Sequence, residues 1–208
     1  MGRRVSNSRL PGWGTKGCSS SAFHSGCLAR YCSVLVDADP ESEDYEAQRS
    51  IANQAWTLLH NWKHVPGSSD GKVDGAALEK WVKEARILFE KAGRAEIGDQ
   101  KIGEVLAQSP RDEDGTWPCL PVPELIEIAR SSEMETGIAV GAANKRGVTT
   151  RSPTDGGKQE RDLAEQYRNR SAKTRLEFPR TSATLAKIAD SYEWDAKHHD
   201  DDAERRQW

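Results

Sequence analysis

The stretch DGAALEKWVKEARILFEKAG, residues 74–93, carries the clearest structural pattern in the chain. Its apolar residues recur at spacings of three and four, the period of one face of an α-helix. They are Leu78, Trp81, Val82, Ala85, Leu88, Phe89 and Ala92. Asp74 is a favourable N-cap residue and Gly93 suits the position after the helix. The stretch therefore predicts an amphipathic helix with Trp81 in the middle of its buried face.

The same spacing extends upstream and downstream of this helix. A set of upstream apolar residues predicts a helix from about Glu43 to His64: Ile51, Ala55, Leu58, Leu59 and Trp62. That helix has to end before Pro66, and the loop 67–71 follows it. Downstream, Asp99 is the predicted N-cap of a shorter helix with an apolar face of Ile102, Val105 and Leu106.

The second half of the chain repeats this organisation with different start signals. Residues 112–118 combine acids, Gly and Pro and predict a turn. Pro123 suits the first position of a helix, and Ser132 with Glu135 has the spacing of a capping box. The capping-box helix should end near Arg146 and Gly147. A charged helix over about 158–173 follows.

Thr181 is the predicted cap of the last helix. The apolar face of that helix consists of Leu185, Ile188, Ala189, Tyr192 and Ala196.

These elements predict an all-α fold, a bundle of six or seven amphipathic helices spanning residues 43–208. Residues 1–36 mix Gly and Ser without a period, and residues 37–46 contain six acids and no base. We therefore expect residues 1–42 to be a flexible leader and acidic linker. No run approaches the roughly 18 apolar residues of a membrane span, and no apolar signal segment follows the N-terminal arginines. We expect a cytoplasmic protein.

The segment 145–180 carries ten basic residues and five acidic ones. Arg146, Arg151, Lys158 and Arg161 flank the pair Gly156-Gly157, where a helix start could present free N–H groups to an anion. These four residues are the candidate phosphate contacts of a nucleic-acid-associated domain. The alternative is a solvated helix whose acids pair with bases four residues away, and the interleaved acids favour it.

Motifs for catalysis are missing from the sequence. It contains no Gly-x-Ser-x-Gly, no phosphate-binding Walker loop, no Gly-x-Gly-x-x-Gly after a strand and no His-Glu-x-x-His. The cysteines and histidines do not have the spacing of a zinc site. We therefore expect no catalytic residues, no metal and no cofactor, without excluding an enzyme.

Several loop motifs carry a resemblance to a protein group. They are Gly93-Arg94 with Gly98-Asp99-x-x-Ile102-Gly103, Asp114-Gly115-x-Trp117-Pro118, Asn144-x-Arg146-Gly147-Val148, Gly156-Gly157-x-Gln159-Glu160-Arg161 and Pro179-Arg180-Thr181. With these motifs, the chain from about Ile51 onward resembles the C-terminal region of a group of long, uncharacterised bacterial proteins. The resemblance implies a terminal module of a larger protein and brings no known activity.

Taken together, these patterns predict a non-catalytic helical interaction or regulatory module with a protein partner or a parent-protein domain. The alternative is a nucleic-acid-associated helical domain using residues 145–180.

Overall fold

The computed structural model describes residues 45–152 and 155–206, apart from eight side chains of the first helix. Within these ranges the protein forms seven α-helices and one short hairpin: α1 Tyr45–His60, β1 Ser68–Ser69, β2 Lys72–Val73, α2 Gly75–Lys91, α3 Ala95–Leu106, α4 Pro121–Ala129, α5 Ser132–Arg146, α6 Lys158–Thr174 and α7 Pro179–Arg205. The predicted all-α fold is confirmed. The predicted leader, residues 1–42, lies outside the described residues. None of the helices described is long and apolar enough to cross a membrane.

Helix α2 forms as its sequence predicts. The Asp74 carboxylate accepts hydrogen bonds from the backbone N–H groups of Ala76 and Ala77 at 2.9 and 3.1 Å. At the other end Gly93 takes a φ of +66°, which glycine adopts without strain. Trp81 is fully buried and meets the half-buried ring of Trp62 edge-on, with 6.0 Å between ring centroids. The sequence predicts the first helix to reach His64, but α1 ends at His60 and Trp62 lies in the loop after it. The other four residues of its predicted apolar face have side chains outside the description.

The segment before α2 forms the two-stranded hairpin. Ser68 pairs with Val73 in antiparallel register. Asp70 and Gly71 between the strands have φ values of +50° and +78°. Two successive positive φ values are typical of the tight turn whose twist matches that of paired strands.

Helices α3 and α5 pack closely and run parallel. Gly137 faces the backbone of Gln100, and Gly141 faces that of Glu104, so residue numbers rise together along the two helices. A Cβ atom on Gly137 would overlap the Gln100 carbonyl oxygen, and one on Gly103 would overlap the backbone of α5. The separation of these helices therefore requires glycine at the contact.

Helices α6 and α7 form an antiparallel pair connected by a short loop. The Ser171 hydroxyl lies 2.9 Å from the Ser182 hydroxyl near the connection. At the far end a Cβ atom on Gly157 would overlap the backbone of Ala196. Helix α7 also packs on α5 and α4, which joins the pair to the rest of the core.

Two predicted helix starts are wrong because a neighbouring helix provides the partner. Helix α3 begins at Ala95, and Asp99 lies inside it. The Asp99 carboxylate instead accepts two hydrogen bonds from Arg86 of α2, at 2.8 and 2.5 Å. Thr181 does not cap α7, which begins at Pro179. Its N-terminal N–H groups are satisfied by Glu127 of α4, whose Oε1 atom accepts hydrogen bonds from the backbone nitrogens of Arg180 and Thr181 at 2.8 and 3.0 Å.

Two other starts are displaced by one or two residues. Helix α4 begins at Pro121 and not at Pro123, so the earlier proline occupies the first helical position. Helix α5 has Ser131 as its N-cap, one residue before the predicted Ser132. The Ser131 hydroxyl accepts the N–H of Met134 at 3.2 Å. In both places two equivalent residue types lie close together, and local propensity does not choose between them.

Replacing Trp81 with alanine should lower the free energy of unfolding by on the order of 3–5 kcal/mol, because the whole indole is buried. Trp194→Ala is the matched control, since that indole is 68% exposed. It should change stability by no more than about 0.5 kcal/mol. Chemical denaturation followed by circular dichroism measures both variants. Equal stability of the two variants would contradict the assigned core.

Replacing Gly137 with alanine should destabilise the protein by about 1–3 kcal/mol although alanine favours helices, because the new methyl group meets backbone of α3. Gly75→Ala is the control: a Cβ atom there would lie 3.5 Å from Pro121, an ordinary contact. Thermal melts compare the two substitutions. A melting temperature of Gly137→Ala at or above that of the parent would show that α3 and α5 do not approach this closely.

Candidate cationic site at the ends of helices α3 and α5

Two of the four residues predicted to contact phosphate, Arg146 and Arg151, bind the same buried carboxylate. Glu160, in the first turn of α6, is fully buried. Its Oε1 atom accepts hydrogen bonds from Arg146 at 2.5 Å and from Arg151 at 2.6 Å, and Oε2 accepts a third from Arg151 at 3.1 Å. Burial alone would raise the pKa of Glu160, but the two guanidinium groups outweigh it and hold the pKa at about 2.

The third predicted residue, Arg161, points to a different partner. Its guanidinium donates to the Oδ2 atom of Asp200 on α7 at 2.6 Å. The Oδ1 atom of Asp200 accepts the backbone N–H of Gly157 at 2.8 Å, which occupies the helix start that the sequence offers to an anion. That hydrogen bond, followed by the one from Arg161, lowers the pKa of Asp200. Lys158 is exposed and forms no ion pair with the residues described.

A cavity of about 250 Å³ lies beside the Arg146 end of this cluster. Four basic residues and three aromatic residues contribute to its wall: Arg111, Lys145, Arg146, Arg170, Trp117, Tyr167 and Tyr192. We call it the cationic pocket. Its residues come from the loop after α3, the last turn of α5, and the facing sides of α6 and α7.

The aromatic residues form one packed cluster in the wall of the cationic pocket. The rings of Tyr167 and Tyr192 stack with 5.7 Å between centroids, and Trp117 meets Tyr167 edge-on at 5.9 Å. The indole N–H of Trp117 donates to the Ser109 carbonyl at 3.0 Å, which anchors the loop. Burial raises the pKa of both tyrosines, so their hydroxyl groups stay protonated at neutral pH.

Three of the four cations have no carboxylate partner among the described residues. Arg146 shares the Glu160 carboxylate with Arg151, whereas Arg111, Lys145 and Arg170 make no ion pair in these ranges. Burial lowers the pKa of Lys145, and the positive charges of Arg111 and Arg170 lower it further. Burial likewise lowers the pKa of Arg170. The pocket therefore holds mutually repelling charges, a situation that a bound anion relieves.

Contacts inside the protein hold two of these cations in place. The Arg170 guanidinium lies over the ring of Tyr167 at 4.9 Å and over that of Trp117 at 5.7 Å. The Lys145 ammonium lies 3.4 Å from the Ser109 carbonyl oxygen. Arg170 is thus positioned by aromatic rings and Lys145 by a backbone carbonyl. Neither contact neutralises the positive charge.

A larger groove of about 910 Å³ adjoins the cationic pocket. Arg111 lines both spaces and marks their junction. The groove runs between the hairpin turn, the loop that leads into α4, and the end of α6, with Asp114, Leu120 and Phe178 among its lining residues. We call it the hairpin groove. Five acidic and three basic side chains line it together with apolar ones.

The sequence patterns did not single out this pocket. Lys145 and Arg170 belong to the basic segment, but Arg111 lies more than thirty residues before it in the chain. Trp117 reads as a loop anchor, which its hydrogen bond to Ser109 bears out. Only the tertiary structure shows that Trp117 also lines the cationic pocket. No group of three or more metal-ligating side chains occurs in the part of the chain that the structure describes.

Replacing Glu160 with glutamine should lower the free energy of unfolding at neutral pH by about 3 kcal/mol, because two cations lose their counter-charge. The pKa of Glu160 is depressed on folding, to about 2. Its contribution is therefore complete above the unfolded pKa and declines as the pH falls from about 5 towards 2. Denaturant titrations at several pH values measure it, with exposed Glu165→Gln as control. An equal loss at pH 7 and at pH 2 would contradict the assignment.

The chain was compared with models of protein families, with curated proteins and with solved structures, and none of them matches it.

Proposed function

We propose that this protein is a non-catalytic helical interaction or regulatory module that acts as a C-terminal part of a larger protein. It binds a negatively charged segment of a protein partner, or of a domain of its parent protein. The observation that carries the proposal is the cationic pocket, with three cations that no described carboxylate neutralises, at the end of the hairpin groove.

The sizes of the two spaces support binding of a chain segment. Cavities that enclose a whole small ligand commonly measure about 300–1,000 Å³. At about 250 Å³ the cationic pocket is smaller and fits one side chain or group. The hairpin groove, at about 910 Å³, has room for several neighbouring residues. Arg111 at the junction can contact both parts of such a segment.

The chemistry of the cationic pocket supports binding over catalysis. Three of its four basic residues are arginines, which stay protonated throughout the physiological pH range and do not act as proton acceptors. Guanidinium groups bind carboxylates and phosphates through paired hydrogen bonds. A concave surface of one charge also raises the rate at which an oppositely charged partner arrives.

The resemblance to the C-terminal region of long bacterial proteins supports the placement in a larger protein. We further propose that the protein acts in the cytoplasm. Cys119 is buried and free, and a reducing compartment keeps such a thiol in that state.

A nucleic-acid-associated domain is the second candidate, and the exposed ammonium group of Lys158 favours it. Two observations rank it lower. Arg146, Arg151 and Arg161 already bind internal carboxylates. Bases bound by single-strand-binding proteins stack on aromatic faces, but Trp117 is only 3% exposed and Tyr167 only 8%.

Fluorescence anisotropy of the full chain with a labelled peptide of alternating Glu and Gly tests the proposal. Arg111→Gln should weaken binding about tenfold, because a charged contact is worth roughly 1.5 kcal/mol or more. Arg175→Gln is the matched control, because this exposed arginine lies outside both spaces.

Three results would reject the proposal: equal binding of a peptide of alternating Lys and Gly, an affinity unchanged by Arg111→Gln, or preferential binding of duplex DNA. In the last case the nucleic-acid candidate takes its place. The logarithm of the DNA affinity should then fall steeply with salt, by about 0.9 per phosphate contact, and Lys158→Ala should flatten that slope.

A further inference from the structure

The charge balance of the cationic pocket calls for more than one negative charge. Arg146 shares the one carboxylate of Glu160 with Arg151, and Arg111, Lys145 and Arg170 line one small cavity without an ion pair to a described carboxylate. A single carboxylate would balance one of these three charges. A phosphate monoester carries about two negative charges at neutral pH and therefore balances more of them.

The placement of the donors favours a tetrahedral anion over a planar one. Arg111 is on the loop after α3, Lys145 is in the last turn of α5, and Arg170 lies within α6. The three cations thus come from three separate elements that surround the cavity. A carboxylate is planar and is satisfied by one guanidinium, whereas the three terminal oxygens of a phosphoryl group accept hydrogen bonds from several directions.

Size and surroundings indicate a phosphate attached to a chain. About 250 Å³ corresponds to roughly eight water molecules, enough for a phosphoryl group with its linking atoms. The rest of the segment would continue past Arg111 into the hairpin groove.

We propose that the cationic pocket binds the phosphate monoester of a phosphorylated serine or threonine in the partner segment. The proposal rests on the function proposed above and names the chemistry of that partner. Arg170, which lies over its aromatic rings, and Lys145, whose ammonium lies 3.4 Å from the Ser109 carbonyl oxygen, provide two of the donors. Arg111 contacts the phosphate at the mouth of the pocket.

Calorimetric titration with three matched peptides tests this specificity. They share one Gly-rich sequence with phosphoserine, glutamate or serine at the central position. The phosphoserine peptide should bind about tenfold more tightly than the glutamate peptide, because it balances one more charge. Lys145→Gln should remove most of this difference, whereas the control Lys158→Gln, an exposed lysine outside the pocket, should preserve it.

Chemical labelling of Lys145 gives a readout that a merely structural role would not change. Lys145 is exposed, so an acylating reagent can reach its amine. Inorganic phosphate in the pocket favours the protonated ammonium and covers it. Mass spectrometry should therefore find slower modification of Lys145 with phosphate present, and an unchanged rate at Lys158.

The outcomes separate the two proposals. If the glutamate and phosphoserine peptides bind equally and through Arg111, the interaction module stands and the phosphate specificity is rejected. If inorganic phosphate protects Lys145 but neither charged peptide binds, the pocket is an anion site and the partner segment is rejected. Unchanged labelling together with no preference among the three peptides rejects both.

Discussion

The close parallel packing of α3 and α5 is the constraint on which the other features of this protein depend. It exists because Gly103 and Gly137 present bare backbone at the contact. Parallel helices end on the same side of their pair, so the loop after α3 and the last turn of α5 lie together. That side is the negative end of both helix dipoles, where cations such as Lys145 and Arg146 are favoured. The location of the cationic pocket follows from this packing.

The charges of the basic segment divide according to the helix pair that surrounds them. Where α6 meets α5 and α7, Arg146 and Arg151 pair with Glu160, and Arg161 pairs with Asp200. These ion pairs connect helix ends and loops. The arginines that the sequence suggests as phosphate contacts therefore stabilise the fold instead. Arg111 and Arg170 line the pocket between α6 and the loop after α3, and neither forms an ion pair with a described acid. The structural arginines and those of the candidate site therefore differ in whether the fold brings a carboxylate close to them.

The apolar period of the sequence predicts which segments are helices, but local capping signals predict the first residue of several helices incorrectly. The apolar period of α2, the Asp74 cap and Gly93 predicted that helix because each acts within one turn of the chain. Thr181 and Asp99 were assigned as caps by the same local argument, but Glu127 and Arg86 are their partners across helix interfaces. The first N–H groups of a helix can bind a side chain within four residues, or one that is fifty residues away in sequence and adjacent in space. Sequence spacing contains no information about the second kind of partner.

By itself the sequence determined the all-α class, a bundle of six or seven helices, the buried face of α2 and that of α7. It did so because burial of one helix face imposes a period that can be counted. It also placed Lys145, Arg146 and Arg170 in one basic segment. Only the tertiary structure decided that Arg146 pairs with Glu160, that Arg170 lies over the Trp117 ring, and that Arg111 lines the same pocket. The reason is physical: a charge is free or paired according to the groups within a few ångströms of it, and long-range helix packing brings those groups there.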